Sequence, residues 1–182
     1  MAAFRGGSST TGGDDLVQRM IGAARLNPAT YEEIEHDQSA TPQAAIVVVL
    51  AAIAGGIGAL DDGGAGLIAG LIGSVLGWVI SAAVVYVIGT KLLAGPHTNS
   101  SIGELLRTIG FASVPGILAV LGFIPVVEII IGLIVVVWSI ATYFVAVRQA
   151  LDVSTGRAVA IGLIGALVSG IVTALVTAPF VL

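Results

Sequence analysis

The side chains that could do acid–base, metal or nucleophilic chemistry in this chain are few and widely spaced. His36 and His97 fall in polar stretches outside the long apolar runs, so histidine ligation of a group buried in lipid is not expected. There is no cysteine, which excludes disulfides, thiol nucleophiles, iron–sulfur clusters and cysteine-bound zinc. HExxH, GxSxG and a Walker A phosphate loop are missing, and PHTNSS at 96–101 is a plain polar loop. The run GGAGLIAG at 63–70 follows no strand, so it reads as helix packing rather than a phosphate cradle. The remaining candidates are acids. Asp61 and Asp62 lie in a short turn, and Glu128 opens a later apolar run. A carboxylate near a membrane surface is a site hypothesis by default. If these turns meet, their oxygens form an outer polar site suited to a cation. The competing reading has Asp61 and Asp62 solvated and Glu128 reaching water one turn from its helix end. No series of acids crosses the apolar runs, which argues against a proton or ion pump. Neither an enzyme, a cofactor nor a resident metal is expected.

The elements that would position these residues are membrane helices. Of the 182 residues 57% are hydrophobic and 10% charged, against about 25% charged in a soluble domain. With a mean hydropathy of +1.07, this composition predicts an all-α, polytopic membrane protein. Five apolar runs, at about 44–60, 67–93, 105–123, 126–147 and 158–182, are long enough to cross about 30 Å at about 1.5 Å per residue. They show no period-two alternation, so strands are not expected. Residues 1–13 read as a flexible tail with no apolar core, and a cleaved signal peptide is not expected. Residues 14–41 form an arm before the membrane domain of 42–182. Its first helix is amphipathic, with Leu16, Val17, Met20, Ile21 and Ala24 on one side, suited to a membrane surface or to the protein's own loops. Asn27 then caps a second helix starting at Pro28. Leu16, Met20, Ile21 and Tyr31 are the candidate docking residues of the arm.

Charge orients the bundle. With the N-terminus inside, all seven Lys and Arg residues fall on the cytoplasmic side, and the loops at 61–64 and around Pro125 carry none. The C-terminus is then outside, in a bacterial-type plasma membrane. A net charge of −4 without a basic run makes nucleic acid an unexpected partner. Gly66, Gly70, Gly73 and Gly77, extended by Ser81, step by three or four along the second run and predict a helix-packing stripe. Trp78 and Trp138 lie near the middles of their runs, where helix packing or a lipid-facing ring suits them better than an interfacial anchor. Glu104 and Arg107 are spaced for a local ion pair, and Arg148 and Arg157 flank Asp152.

The third run is interrupted. Pro115 has no N–H and frees the carbonyl of Phe111, with Gly110 and Gly116 on either side. Lipid cannot satisfy such a carbonyl, so this point must face other helices or a wet crevice, as a static kink or as a hinge. The same residues, Gly110-Phe111-Ala112-Ser113-Val114-Pro115, resemble the glycine–aromatic–three residues–proline motif of the Yip domain family of Ypt-interacting membrane proteins. The resemblance extends to Pro28-Ala29-Thr30-Tyr31-Glu32-Glu33-Ile34 in the arm, to Pro125 and Trp138, and to Arg148-Gln149-Ala150-Leu151 with Arg157-Ala158. It implies five helices with a cytoplasmic N-terminus. Eukaryotic members bind small GTPases through an Asp-Leu-Tyr-Gly-Pro-like motif, which this sequence lacks, so a GTPase partner is not expected and the chain is similar to the prokaryotic branch. The expected function is a non-enzymatic scaffold or accessory subunit, touching the bilayer and other integral membrane proteins. The alternative is a transporter or lipid-handling protein, in which a cavity lined by Thr108, Ser113 and Glu128 would be expected.

Overall fold

The computed structural model describes residues 12–58, 65–124 and 127–181. The arm is α1 (Gly12–Ala24) and α2 (Pro28–His36). The spans are α3 (Ala40–Gly58), α4 (Ala65–Val87) with a π-helical turn at Ile88–Leu92, α5 (Ile102–Phe111) followed by a 3-10 helix (Val114–Phe123), α6 (Glu128–Ala150) and α7 (Thr155–Val181). Five of these stretches are long and apolar enough to cross a membrane, and no strand occurs among the described residues. The all-α, five-span prediction therefore holds. Residues 1–11 of the expected tail, Asp61, Asp62 and Pro125 lie outside the described residues. Gly12 and Gly13 already belong to α1.

Polar residues set several helix ends. The Asn27 side chain accepts from Ala29 N at 3.1 Å, so α2 starts where the Asn-Pro pair predicts. Ser101 and Glu104 form a reciprocal capping box at the start of α5. That is a correction: Glu104 caps its own helix instead of pairing with Arg107. At two other ends the chain turns back through a residue with positive φ, Leu26 (59°) after α1 and Asp152 (50°) after α6. Both are Schellman closures. Asn27 N reaches Gly22 O and Leu26 N reaches Ala23 O, while Val153 N reaches Arg148 O and Asp152 N reaches Gln149 O.

The closest helix pair is α3 with the third span. Its basis is spacing. Ala44, Ala51 and Gly58 recur every seventh residue on α3. A Cβ on Gly110 would lie 2.7 Å from Ala44 Cβ, one on Gly116 would lie 3.2 Å from Ala51 Cβ, and one on Gly58 would collide with Ala119 O. Ser113, Gly116, Ala119 and Gly122 recur every third residue, which makes one straight small edge only at three residues per turn. This matching explains a ten-residue 3-10 helix, far longer than the usual few residues. Seven α-helical residues advance about 10.5 Å and six 3-10 residues about 12 Å, so the two small rows keep step.

Two apolar clusters lie toward the arm end. One joins Ala82, Val85, Leu105, Val147, Leu151 and Ile161 of four spans. The other joins Tyr31 and Ile34 of α2 to Ala44, Val47, Phe111 and Ala146. Burying a side chain such as Ile34 contributes about 1.5–3 kcal/mol, so the arm is held as part of the bundle.

Candidate functional site

The arm is fixed by one cation. Arg19 is 6% exposed, and its guanidinium reaches Asp15 (3.2 Å), Glu33 (2.9 Å), Asp37 (2.6 Å) and the Gln43 Oε1 (2.9 Å). It thus ties α1 to α2 and to the first turn of α3. Burial alone would disfavour its charge, but the hydrogen bonds it donates to Asp37 and Glu33 leave its pKa raised. Asp37 is held below its ordinary value, first by the Ser39 hydroxyl and then by Arg19. Of the predicted docking residues, Tyr31 is fully buried and donates to Ala23 O at 3.4 Å, with burial pushing its phenol pKa upward. Leu16 and Met20 pack against the same cluster. Ile21 and Val17 are 45% and 54% exposed, so the apolar face of α1 is shared between protein and surroundings. Trp138 has a role that its sequence position did not announce. Its Nε1 donates to Ala24 O at 2.7 Å, joining the end of α1 to the eleventh of the 23 residues of α6. The first helix of the arm is therefore folded against the side of the bundle.

The break in the third span is stapled. The α-helix stops at Phe111, the 3-10 helix starts at Val114, and Pro115 is buried in its first turn. In 3-10 pairing the carbonyl deprived of a donor by Pro115 is that of Ala112, three residues earlier, not only that of Phe111. The hydroxyl of Thr142, fully buried on α6, donates to Ala112 O at 2.8 Å. Gly110 serves close contact with α3 and with Trp78, whose Nε1 donates to Leu106 O at 2.8 Å. Gly110, Phe111, Pro115 and Gly116 are thus brought together in a packed joint.

Between the spans lies an open crevice of about 1030 Å3. All five spans line it, with Gly55, Gly70, Gly77, Gly116 and Gly170 among small residues, and with the hydroxyls of Ser74, Ser113, Ser139 and Thr173. Tyr143 faces it and pairs with Ser81 across 3.3 Å. The predicted stripe on α4 needs correction. Of Gly70, Gly73 and Gly77, only Gly77 approaches a neighbour, Thr173, at 3.7 Å from a built Cβ, whereas a Cβ on Gly70 or Gly73 would meet nothing within 4 Å. Gly70 and Gly77 line the crevice with Ser74 and Ser81, while α4 meets α7 where a Cβ on Gly165 would lie 2.8 Å from Val85. Gly66 lies in the first turn of α4. Thr108 is buried and bonds Glu104 O at 3.0 Å, and Glu128 is exposed at the start of α6, so of the three expected cavity residues only Ser113 lines it. Among the described residues no group of three acids or histidines could hold a metal. Arg148 and Arg157 bond Gln149 and Ala94 O rather than Asp152.

Sequence reasoning missed Arg19, Thr142 and the small row on α3. The signals were present as Asp15 four residues before Arg19, as the Ala44-Ala51-Gly58 heptad spacing, and as the period-three small row after Ser113.

These features define a polytopic helical membrane protein with a docked amphipathic arm. A family model for the Yip1 domain matches residues 25–177, and the chain belongs to that family. No curated protein and no solved structure shows a detectable match. The matched range takes in α2, the stapled break and all the described residues that line the crevice.

Proposed function

We propose that the protein is a non-enzymatic membrane scaffold or accessory subunit that receives a helix of another integral membrane protein in the crevice between its spans. One observation carries this reading. Gly55, Gly70 and Gly170 reach the crevice from three different helices, and a Cβ on any of them would meet nothing within 4 Å. Glycine weakens a helix by about 1 kcal/mol relative to alanine. Glycines with no internal neighbour are explained by the close approach of an outside backbone, which small residues permit where lipid removes the hydrophobic drive. Among the described residues Tyr143 is the only ionisable side chain on the wall, so these residues offer ion or proton coupling no carboxylate or amine to use.

A second reading, lipid handling, is favoured by the hydroxyls of Ser74, Ser139 and Thr173 on the wall of an open crevice. Either reading fits a bacterial-type plasma membrane with the arm end in the cytoplasm. In support, all six described Lys and Arg residues lie in the arm or at the arm end of a span: Arg19, Arg25, Lys91, Arg107, Arg148 and Arg157. The test is to fill the crevice with Gly70→Leu and Gly170→Leu. Both variants insert at wild-type abundance and lose the membrane protein that co-elutes from mild detergent. A partner retained at wild-type yield overturns the scaffold.

A further inference from the structure

Glu35 lies in the last turn of α2, where the arm meets the bundle. It is 4% exposed, and its Oε2 has no hydrogen-bond partner among the described residues. The cation packed against this turn, Arg107 of α5, is committed to backbone. Its Nε donates to Ile34 O (3.1 Å) and Glu35 O (3.0 Å), and its Nη2 also donates to Glu35 O. These carbonyls are left open at the end of α2, and a guanidinium suits them. The remaining charged groups around the carboxyl are mostly acids: Glu32 on its own helix, Glu104 facing from α5, and Asp152 from the turn after α6. His36, also on α2, favours the ionised form. An ionised carboxylate buried with an unpaired oxygen among other acids is far costlier than the neutral acid.

We propose that Glu35 is a proton-binding site that latches the arm to the bundle: its carboxyl carries a proton while α2 is seated and gives it up when the arm lifts into water. This latch is independent of what fills the crevice. While seated, α2 also keeps Arg107 at 7% exposure, so the proton controls access to a cation at the arm end.

The sign follows from linkage. Burial, then Glu32, Glu104 and Asp152, raise the seated carboxyl from 4.5 to about 7. Seating therefore takes up a proton between these values. The contribution of Glu35 is complete below the lower value, declines as pH rises toward the upper one, and changes no further above it. His36, raised chiefly by its bond to the Glu32 carbonyl on the same helix, also gains a proton as pH falls, so it must be separated.

The chain has no cysteine, so spin labels at Ala29→Cys and Ser154→Cys report the distance from arm to bundle in the full protein. In the wild type the ratio of lifted to seated arm rises at least about tenfold from pH 5 to pH 8. In Glu35→Gln, which keeps the shape without the charge, it changes less than about twofold, and His36→Gln keeps the wild-type response. An unresponsive wild type, or a wild-type response in Glu35→Gln, overturns the latch. If Glu35→Gln does not insert, carboxyl NMR of the glutamate-labelled wild type decides. One of its five glutamates titrates near neutrality, and five ordinary titrations overturn the proposal.

Discussion

Replacing Thr142 by valine removes one hydroxyl from a buried joint and changes its shape little. The hydroxyl has a single proton, and its shortest contact is the Ala112 carbonyl at 2.8 Å, with the carbonyls of Ser139 (3.0 Å) and Trp138 (3.1 Å) as intrahelical alternatives. Interhelical hydrogen bonds in membrane proteins average about 0.6 kcal/mol and reach about 1.7. A buried carbonyl left without a donor costs about 1–3 kcal/mol. Thr142→Val should therefore destabilise the protein by about 1–2 kcal/mol. The cause can be isolated, because Ala112 lacks a backbone donor only through Pro115. Pro115→Ala restores that N–H. In the Thr142→Val background it should be more favourable than in the wild type by about 1 kcal/mol. Reversible unfolding of the four proteins in mixed micelles closes the double-mutant cycle. Strictly additive effects, or a Thr142→Val protein as stable as the wild type, would refute the staple.

Arg19→Met should loosen the arm by about 1–2 kcal/mol, less than the 3–5 of a fully buried pair, because the side chains of Asp15, Glu33 and Asp37 are 34%, 58% and 32% exposed and can rehydrate. Faster amide exchange across α1 and α2 would show it, and unchanged protection would contradict it. Gly110→Ala should cost about 1–3 kcal/mol by overpacking Ala44, whereas Gly70→Ala should be neutral or stabilising; equal effects in an unfolding assay would remove the distinction between joint and crevice. Thiols placed at Thr98 and Ser154 should resist an impermeant reagent added to intact cells, and labelling at Thr98 would reverse the proposed orientation. Below the ordinary aspartate range, protonation of Asp37 removes a contribution present at higher pH, so arm protection should also fall in acid.

The five spans were legible because continuous apolar runs leave a chain little choice in lipid, and the cap at Asn27-Pro28 was legible because its geometry is local. The joint at Pro115 was half legible. A missing N–H can be read from a sequence, but its receiver, Thr142, lies 30 residues from Ala112 and meets it only through packing. The glycines of α4 were read as internal packing because spacing shows a smooth face without showing what lies against it. On α3 the smooth row was two alanines and one glycine, and it escaped notice although it makes the closer contact. Arg19 read as a topology signal because its charge is visible in the sequence and its burial is not. Glu35, one acid among four in the arm's second helix and its cap, carries no mark of its own; only the turn under Arg107 sets it apart from Glu32, Glu33 and Asp37.

Photo-crosslinking from the crevice tests the central claim most directly. A benzophenone side chain at Ser74 of α4, or at Gly170 of α7, is activated in native membranes, and the products are separated by mass. The scaffold account predicts a discrete adduct with another membrane polypeptide from both positions, and none from Ile129 on the exposed side of α6. Adducts with lipid alone from the crevice positions would contradict it and leave lipid handling as the function.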